Sequence, residues 1–286
     1  MTEHLSMNFR RSEMALIHLN FESEYLCNNT DVNIIMPDKP RVEKPKDFYD
    51  SNKKYQVLWL LHGTYGDYTD WIRKSSIELY AAERNIIVVM PSAMNSNYLD
   101  WKGFGLGYNM WEYLTEELMP LVYNWLPASS KKEDNFIAGL SMGGGGTIQY
   151  VVGHPERFAA AAILSSAPSN HRKDMSEGTV LARTQTAINN YGGNEGYLDS
   201  PANVWELLPK LIKSKKLPRL YFTIGKDDSI AYKRYVAFKA YAEQIGLDAV
   251  FEEYDKYDHE WRFWDLTIQK ALDFFGIPNT YAGNAF

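Results

Sequence analysis

NFIAGLSMGGGGTIQYVVG, residues 135–153, decides the reading of this chain. NFIA is apolar and branched, the signature of a buried strand. The glycine-rich run that follows leads into a pattern of helical period. Gly139 and Gly143 stand two residues either side of Ser141, a G-x-S-x-G pattern set between strand and helix. That spacing predicts a very tight strand-to-helix turn. Ser141 then projects above the sheet, and the Met142 amide sits at the helix N-terminus. Four successive glycines, Gly143–Gly146, would each cost about 1 kcal/mol relative to alanine inside a helix. Close approach of helix to strand is the expected compensation.

Outward from this stretch, apolar runs at residues 55–61, 86–90, 159–164, 220–224 and 249–254 predict further strands. YQVLWLL and IIVVM are apolar on both faces, which places them inside a covered sheet. Residues 14–21 and 31–36 predict two more strands with no helix between them, an antiparallel edge. Helical periodicity covers residues 75–84, 111–126, 147–153, 231–245 and 261–275. The alternation predicts an α/β protein, with a mostly parallel central sheet of about eight strands and helices on both faces. Residues 37–54, rich in Pro and Lys, predict an exposed loop. No linker divides the chain, so residues 1–286 are read as a single domain. An insertion at about 165–217 is expected to hold two helices, near 180–190 and after Ser200-Pro201, and to form a small lid over the C-terminal sheet edge.

Composition narrows the function. The chain has 286 residues and a formal net charge of −6, so it carries no basic surplus for a nucleic acid or an anionic membrane. Cys27 is the single cysteine, which excludes an intrachain disulfide and a multi-cysteine zinc site. The N-terminal residues show no signal-peptide pattern, and no apolar run approaches the ~20 residues of a membrane helix. The expectation is a cytoplasmic protein with neither nucleic-acid nor membrane partners; a homo-oligomer is compatible with the sequence.

A nucleophilic serine needs a base. Of six histidines, His4 falls in the N-terminal tail and His18 in an edge strand. His154 ends the helix after the serine, and His171 is expected to be solvated in the insertion. His62 follows the strand of residues 55–61 and is read as organising the loop. His259 lies after the last strand and just before the last helix, over the edge where Ser141 emerges. The acid is expected after the strand of residues 220–224, at Asp227 or Asp228. Asp228 is favoured, because Gly225 lets the chain turn and Lys226-Asp227 form the turn itself. The order Ser, Asp, His is that of the α/β-hydrolases. The segment Leu61-His62-Gly63-Thr64-Tyr65-Gly66 can aim the Thr64 amide at the serine opposite Met142, giving two oxyanion donors.

These motifs, together with Trp71 and the segment His259-Glu-Trp-x-x-Trp264, resemble the esterase D family of α/β-hydrolases, in its tributyrin esterase and feruloyl or acetyl-xylan esterase branch. The resemblance spans about residues 17–275. It implies ester hydrolysis through an acyl-enzyme by Ser141, Asp228 and His259, with Thr64 and Met142 as oxyanion donors and no metal or organic cofactor. The substrates expected are small-molecule or carbohydrate esters: short-chain acyl, acetylated-carbohydrate or hydroxycinnamoyl. The alternatives on the same fold are an acyltransferase, an S-formylglutathione hydrolase, or a binding protein that has lost catalysis. S-formylglutathione hydrolases usually carry cysteine in the oxyanion turn, where this chain has Thr64-Tyr65. Aromatic residues on the edge loops, Tyr65, Trp71, Trp101 and Tyr108, are expected to line the substrate pocket.

Overall fold

A computed structural model describes residues 13–40, 43–214 and 216–279. His4 and residues 1–12 of the stretch read for a targeting signal lie outside these residues.

Eight strands form one sheet: β1 (Glu13–Ser23), β2 (Asn28–Asp38), β3 (Val57–Leu61), β4 (Ile87–Pro91), β5 (Asn135–Leu140), β6 (Ala160–Leu164), β7 (Arg219–Gly225) and β8 (Ala249–Tyr254). Their spatial order is β1-β2-β4-β3-β5-β6-β7-β8. β1 and β2 pair antiparallel across eleven residue pairs, and β2 is antiparallel to β4. Every other neighbour is parallel. The antiparallel edge therefore stands where the missing helix between the first two strands placed it.

β3 shows how the core divides. All five residues are fully buried. Val57, Trp59 and Leu61 point to one face, Leu58 and Leu60 to the other, as the two-residue strand period requires. The first face is covered by α1 (Met142–Gly153), α2 (Tyr232–Ile245) and the helical stretch 110–125, through Ile148, Val151, Tyr235, Phe238 and Leu118. The second is covered by Ile77–Arg84 and α3 (Trp261–Phe275), through Tyr80, Phe263, Ile268 and Leu272. Parallel strands end at the same side, so the loops after β3, β5, β7 and β8 converge at one edge.

The structure corrects several expected boundaries. The helix expected at 75–84 is present at Ile77–Arg84, and a separate short helix, Asp70–Lys74, which was not expected, precedes it. The helix after the serine begins at Met142, five residues earlier than its period suggested, because the glycines carry no apolar signal. The loop at 37–54 contains a short helix, Pro45–Tyr49, with no buried residue. The insertion holds four helices: His171–Glu177, Ala182–Asn190, Asn194–Leu198 and Val204–Ser214. Two of the four are too short to show a period. His171–Glu177 is defined instead by its ends: Asn170 Oδ1 accepts from the Lys173 amide, and Gly178 closes the helix at φ 67°. Ser200 does not cap the last helix. Its Oγ donates to the Tyr197 carbonyl, in a turn that ends four residues before the helix starts at Val204. A small core of Leu99, Ala187, Ile188, Tyr197 and Ala202 holds the insertion down.

Candidate active site

Ser141 follows β5 and stands at the N-cap position of α1 at φ 52°, ψ −115°, a backbone region costly for any residue with a side chain, by about 1–3 kcal/mol. Its amide is tied to the Leu164 carbonyl at 2.8 Å. The flanking glycines are needed for contact. A Cβ on Gly143 would stand 2.6 Å from the Leu61 and His62 carbonyl oxygens, and one on Gly139 would strike the Gly143 carbonyl. Gly146 lies against the Tyr98 ring in the same way. Gly145 differs: the nearest atom to its Cβ would be Ser166 Oγ at 3.9 Å. Gly145→Ala is therefore expected to stabilise the protein by about 0.5–1 kcal/mol through helix propensity alone. Gly143→Ala is expected to cost about 1–3 kcal/mol or more through overpacking. Thermal unfolding of the two variants checks the pair: the first melts above wild type, the second clearly below.

His259 stands between Ser141 and Asp228. Its Nε2 lies 2.8 Å from Ser141 Oγ, and its Nδ1 lies 2.8 Å from Asp228 Oδ2. Asp228 is 1% exposed. Its other oxygen, Oδ1, accepts from the Ile230 amide at 3.0 Å and the Ala231 amide at 2.8 Å, in the turn that starts α2. Burial alone would push this carboxyl up. The hydrogen bonds from His259 and the Ala231 amide outweigh burial and hold it below the ordinary aspartate value. An ionised carboxylate only accepts, so the Nδ1 of His259 carries the proton. A neutral ring then offers Nε2 as acceptor to the serine hydroxyl.

The loop bearing His259 is seated by two contacts. A Cβ on Gly225 would strike the Tyr257 carbonyl, so the absence of a side chain there admits the histidine loop rather than permitting a special turn. The Asp227 amide donates to the same carbonyl at 3.1 Å. Lys226 pairs with Asp255 at 2.8 Å, not with its neighbour Asp227, which is exposed. Trp264 meets the His259 ring edge-on at 5.0 Å between centroids and donates its Nε1 to Ser165 Oγ. The two tryptophans of the HEWxxW segment thus pack: Trp264 on the histidine, and Trp261 edge-on against Trp71 at 5.2 Å.

The turn after β3 abuts the serine. A Cβ on Gly63 would lie 3.5 Å from Ser141 Cβ. His62 is buried, accepts at Nε2 from the Ala93 amide at 2.9 Å, and reaches the Gly63 carbonyl from Nδ1 at 2.7 Å. With Nε2 accepting, Nδ1 is the donor, and burial pushes the ring toward the neutral form. His62 fixes the turn from below, as its place in the sequence indicated. Met142 is the first residue of α1, so its N–H has no acceptor within the helix. The Thr64 N–H makes no hydrogen bond among the described residues.

A cavity of about 280 Å³ opens at Ser141, Met142 and His259. The expected aromatic wall is not there. Trp71 is 1% exposed and donates to the Leu61 carbonyl. Tyr108 is buried in the main core, and Trp101 packs against it, donating to the Ser96 carbonyl. Tyr65 is 90% exposed, at φ 62°, outside the cavity lining. Trp71, Trp101 and Tyr108 turn their rings into the core because apolar area drives them inward, whereas Tyr65 stays in solvent. The insertion lines the cavity instead, with His171, Asp174 and Arg183, joined by Arg234 of α2. His171, expected in solvent, is half-buried, and burial pushes its ring toward neutrality. Arg183 reaches back to the oxyanion turn: Nη1 donates to Thr64 Oγ1 at 3.1 Å, and Nη2 to Asn97. The sequence held one signal for these cations. Lys233-Arg234 opens a helix, at the end where the dipole favours acids.

Sheet order and site together define an α/β-hydrolase: a serine on the strand-to-helix turn of the central parallel sheet, bonded to a histidine borne by the last loop. The model of the putative esterase family matches residues 36–275, and the chain belongs to that family. An acetyl esterase of Caldicellulosiruptor saccharolyticus is 31% identical over 271 residues, covering 91% of this chain and 97% of that protein. Among solved structures, a fluorophosphonate-binding serine hydrolase of Staphylococcus aureus superposes with a TM-score of 0.77 at 28% identity, over 93% of this chain and 98% of the other. The S-formylglutathione hydrolase of the same organism gives 0.72 at 28% identity with the same coverage. The protein is a serine esterase of this family. None of its described helices is long and apolar enough to cross a membrane.

Proposed function

We propose that the protein is a carboxylesterase of the esterase D type, in the tributyrin, feruloyl or acetyl-xylan esterase branch, acting on esters with small acyl groups. The observation that carries this reading is the hydrogen-bonded series Ser141–His259–Asp228, with both links at 2.8 Å. In the proposed mechanism Ser141 Oγ attacks the ester carbonyl carbon while His259 Nε2 takes its proton. The carbonyl oxygen becomes an oxyanion between the Thr64 and Met142 amides, each contributing about 3 kcal/mol to the transition state. The intermediate collapses, and the leaving alkoxide takes the proton from His259. Water then repeats the sequence on the acyl-enzyme, giving the acid and restoring the serine. Asp228 holds the imidazole in the working tautomer and stabilises its cation.

The 280 Å³ cavity lies at the small end of the ~300–1,000 Å³ typical of small-molecule sites, and this supports a short acyl group. Acetyl and butyryl 4-nitrophenyl esters are expected to turn over at least tenfold faster than the palmitoyl ester, measured as kcat/KM in one series. A preference for the long chain would overturn the reading.

A further inference from the structure

Arg234 occupies an electrostatically unfavourable place. It lies in the first turn of α2, beside Lys233, with no acidic residue in that turn. A helix N-terminus carries partial positive charge and disfavours cations. The side chain is half-buried in the wall of the cavity that contains Ser141 and His259. Among the described residues it makes no hydrogen bond and no ion pair. Burial and the nearby Arg183 both depress its guanidinium, while Asp174 and Asp228 act on it from beyond contact distance. A second guanidinium, Arg183, lines the same cavity. Asp228 is already committed to His259 and two amides. Asp174 is then the one free carboxylate of the lining, facing two cations, and it is in ion-pair contact with neither. A half-buried guanidinium with no counter-ion in contact is unfavourable unless something else supplies the charge.

We propose that Arg234, supported by Arg183, is a substrate-binding residue, and that the preferred ester of this enzyme carries a carboxylate besides the bond that is cleaved. The inference rests on the esterase reading and narrows its substrate class to anionic esters. The planar guanidinium fork suits a carboxylate bound through two parallel N–H donors. The carboxylate belongs either to the acyl part, as in a dicarboxylic acid half-ester, or to the alcohol part, as in the acetyl ester of a hydroxy acid.

Two matched pairs separate these sources. On the acyl side, 4-nitrophenyl hemiglutarate is compared with 4-nitrophenyl valerate; on the alcohol side, 3-acetoxybenzoate with 3-acetoxybenzamide. The quantity read is the anionic-to-neutral ratio of kcat/KM for the wild type, Arg234→Met and Arg234→Lys. In one pair the ratio is expected to fall about tenfold or more in Arg234→Met and by a smaller factor in Arg234→Lys, which keeps the charge but not the two-donor fork. The pair that responds identifies the side that bears the charge. Ratios unchanged by Arg234→Met in both pairs, or a wild type favouring the neutral ester in both, overturn the proposal. Failure of the wild type to hydrolyse any of the four esters would count against the esterase reading itself. Should Arg234→Met not fold, salt gives a second readout on the wild type. Raising sodium chloride to about 0.5 M should lower kcat/KM for the anionic member of the responding pair and not for the neutral one. An equal salt response of both members overturns the proposal.

Discussion

Ser141→Ala is expected to lower kcat for 4-nitrophenyl acetate by about 10⁶-fold while the protein stays folded. The magnitude follows from what the hydroxyl does. In a nucleophile–base–acid series the three groups act as a unit, so loss of the nucleophile removes nearly all covalent catalysis, on the order of 10⁶-fold. What remains is the contribution of the oxyanion donors and of substrate binding. Folding survives because the turn is held by the Ser141 amide, which alanine keeps, and by the glycine contacts on either side. The variant should melt close to wild type, since the hydroxyl's one hydrogen bond is to a histidine at the mouth of an open cavity. Kinetics with a matched thermal melt checks both halves. Turnover within tenfold of wild type in the folded variant would remove Ser141 from the mechanism.

The second large effect separates two adjacent acids. Asp228→Asn is expected to cost about 10⁴-fold in kcat, and Asp227→Asn less than threefold. The structure dictates the direction. Asp228 Oδ1 is held by two backbone donors, so an asparagine must keep its carbonyl oxygen there. Its NH₂ group then replaces Oδ2 and faces His259 Nδ1. That nitrogen becomes an acceptor, the ring proton moves to Nε2, and the serine hydroxyl loses its base. Asp227 is exposed and touches the histidine loop only through its backbone, so its substitution should change stability by no more than about 0.5 kcal/mol. Parallel kinetics on the two variants tests the assignment, and the reverse pattern would make Asp227 the acid.

The sheet was legible because its strands bury both faces. VLWLL, IVVMP and AAAIL are runs that only a covered sheet accepts, and their spacing left room for a helix between most of them. The serine turn was legible because two glycines at fixed distance leave few alternatives. The insertion was legible in part: the helices expected near 180–190 and after Ser200-Pro201 stand at Ala182–Asn190 and Val204–Ser214, and the two between and before them were missed. The missed helices, His171–Glu177 and Asn194–Leu198, have seven and five residues, too few to show a period; the first is set by its Asn170 cap, and Tyr197 and Leu198 of the second are buried. The cavity wall was misread for a related reason. Trp71, Trp101 and Tyr108 stand in loops on the correct edge, but an aromatic ring near a site packs downward whenever a core is within reach. Arg183 and Arg234 are the opposite case: charged residues normally face solvent, and only the position of Arg234 in the first turn of a helix marked it as unusual.

Labelling with a fluorophosphonate, followed by peptide mapping, tests Ser141 as the nucleophile, because the reagent reports a reactive serine without requiring the right ester. One adduct per chain is expected on the peptide bearing Ser141, with ester turnover lost in proportion to the adduct and no adduct in Ser141→Ala. An adduct on another residue that tracks the loss of turnover, or sustained turnover in fully labelled protein, would contradict that role.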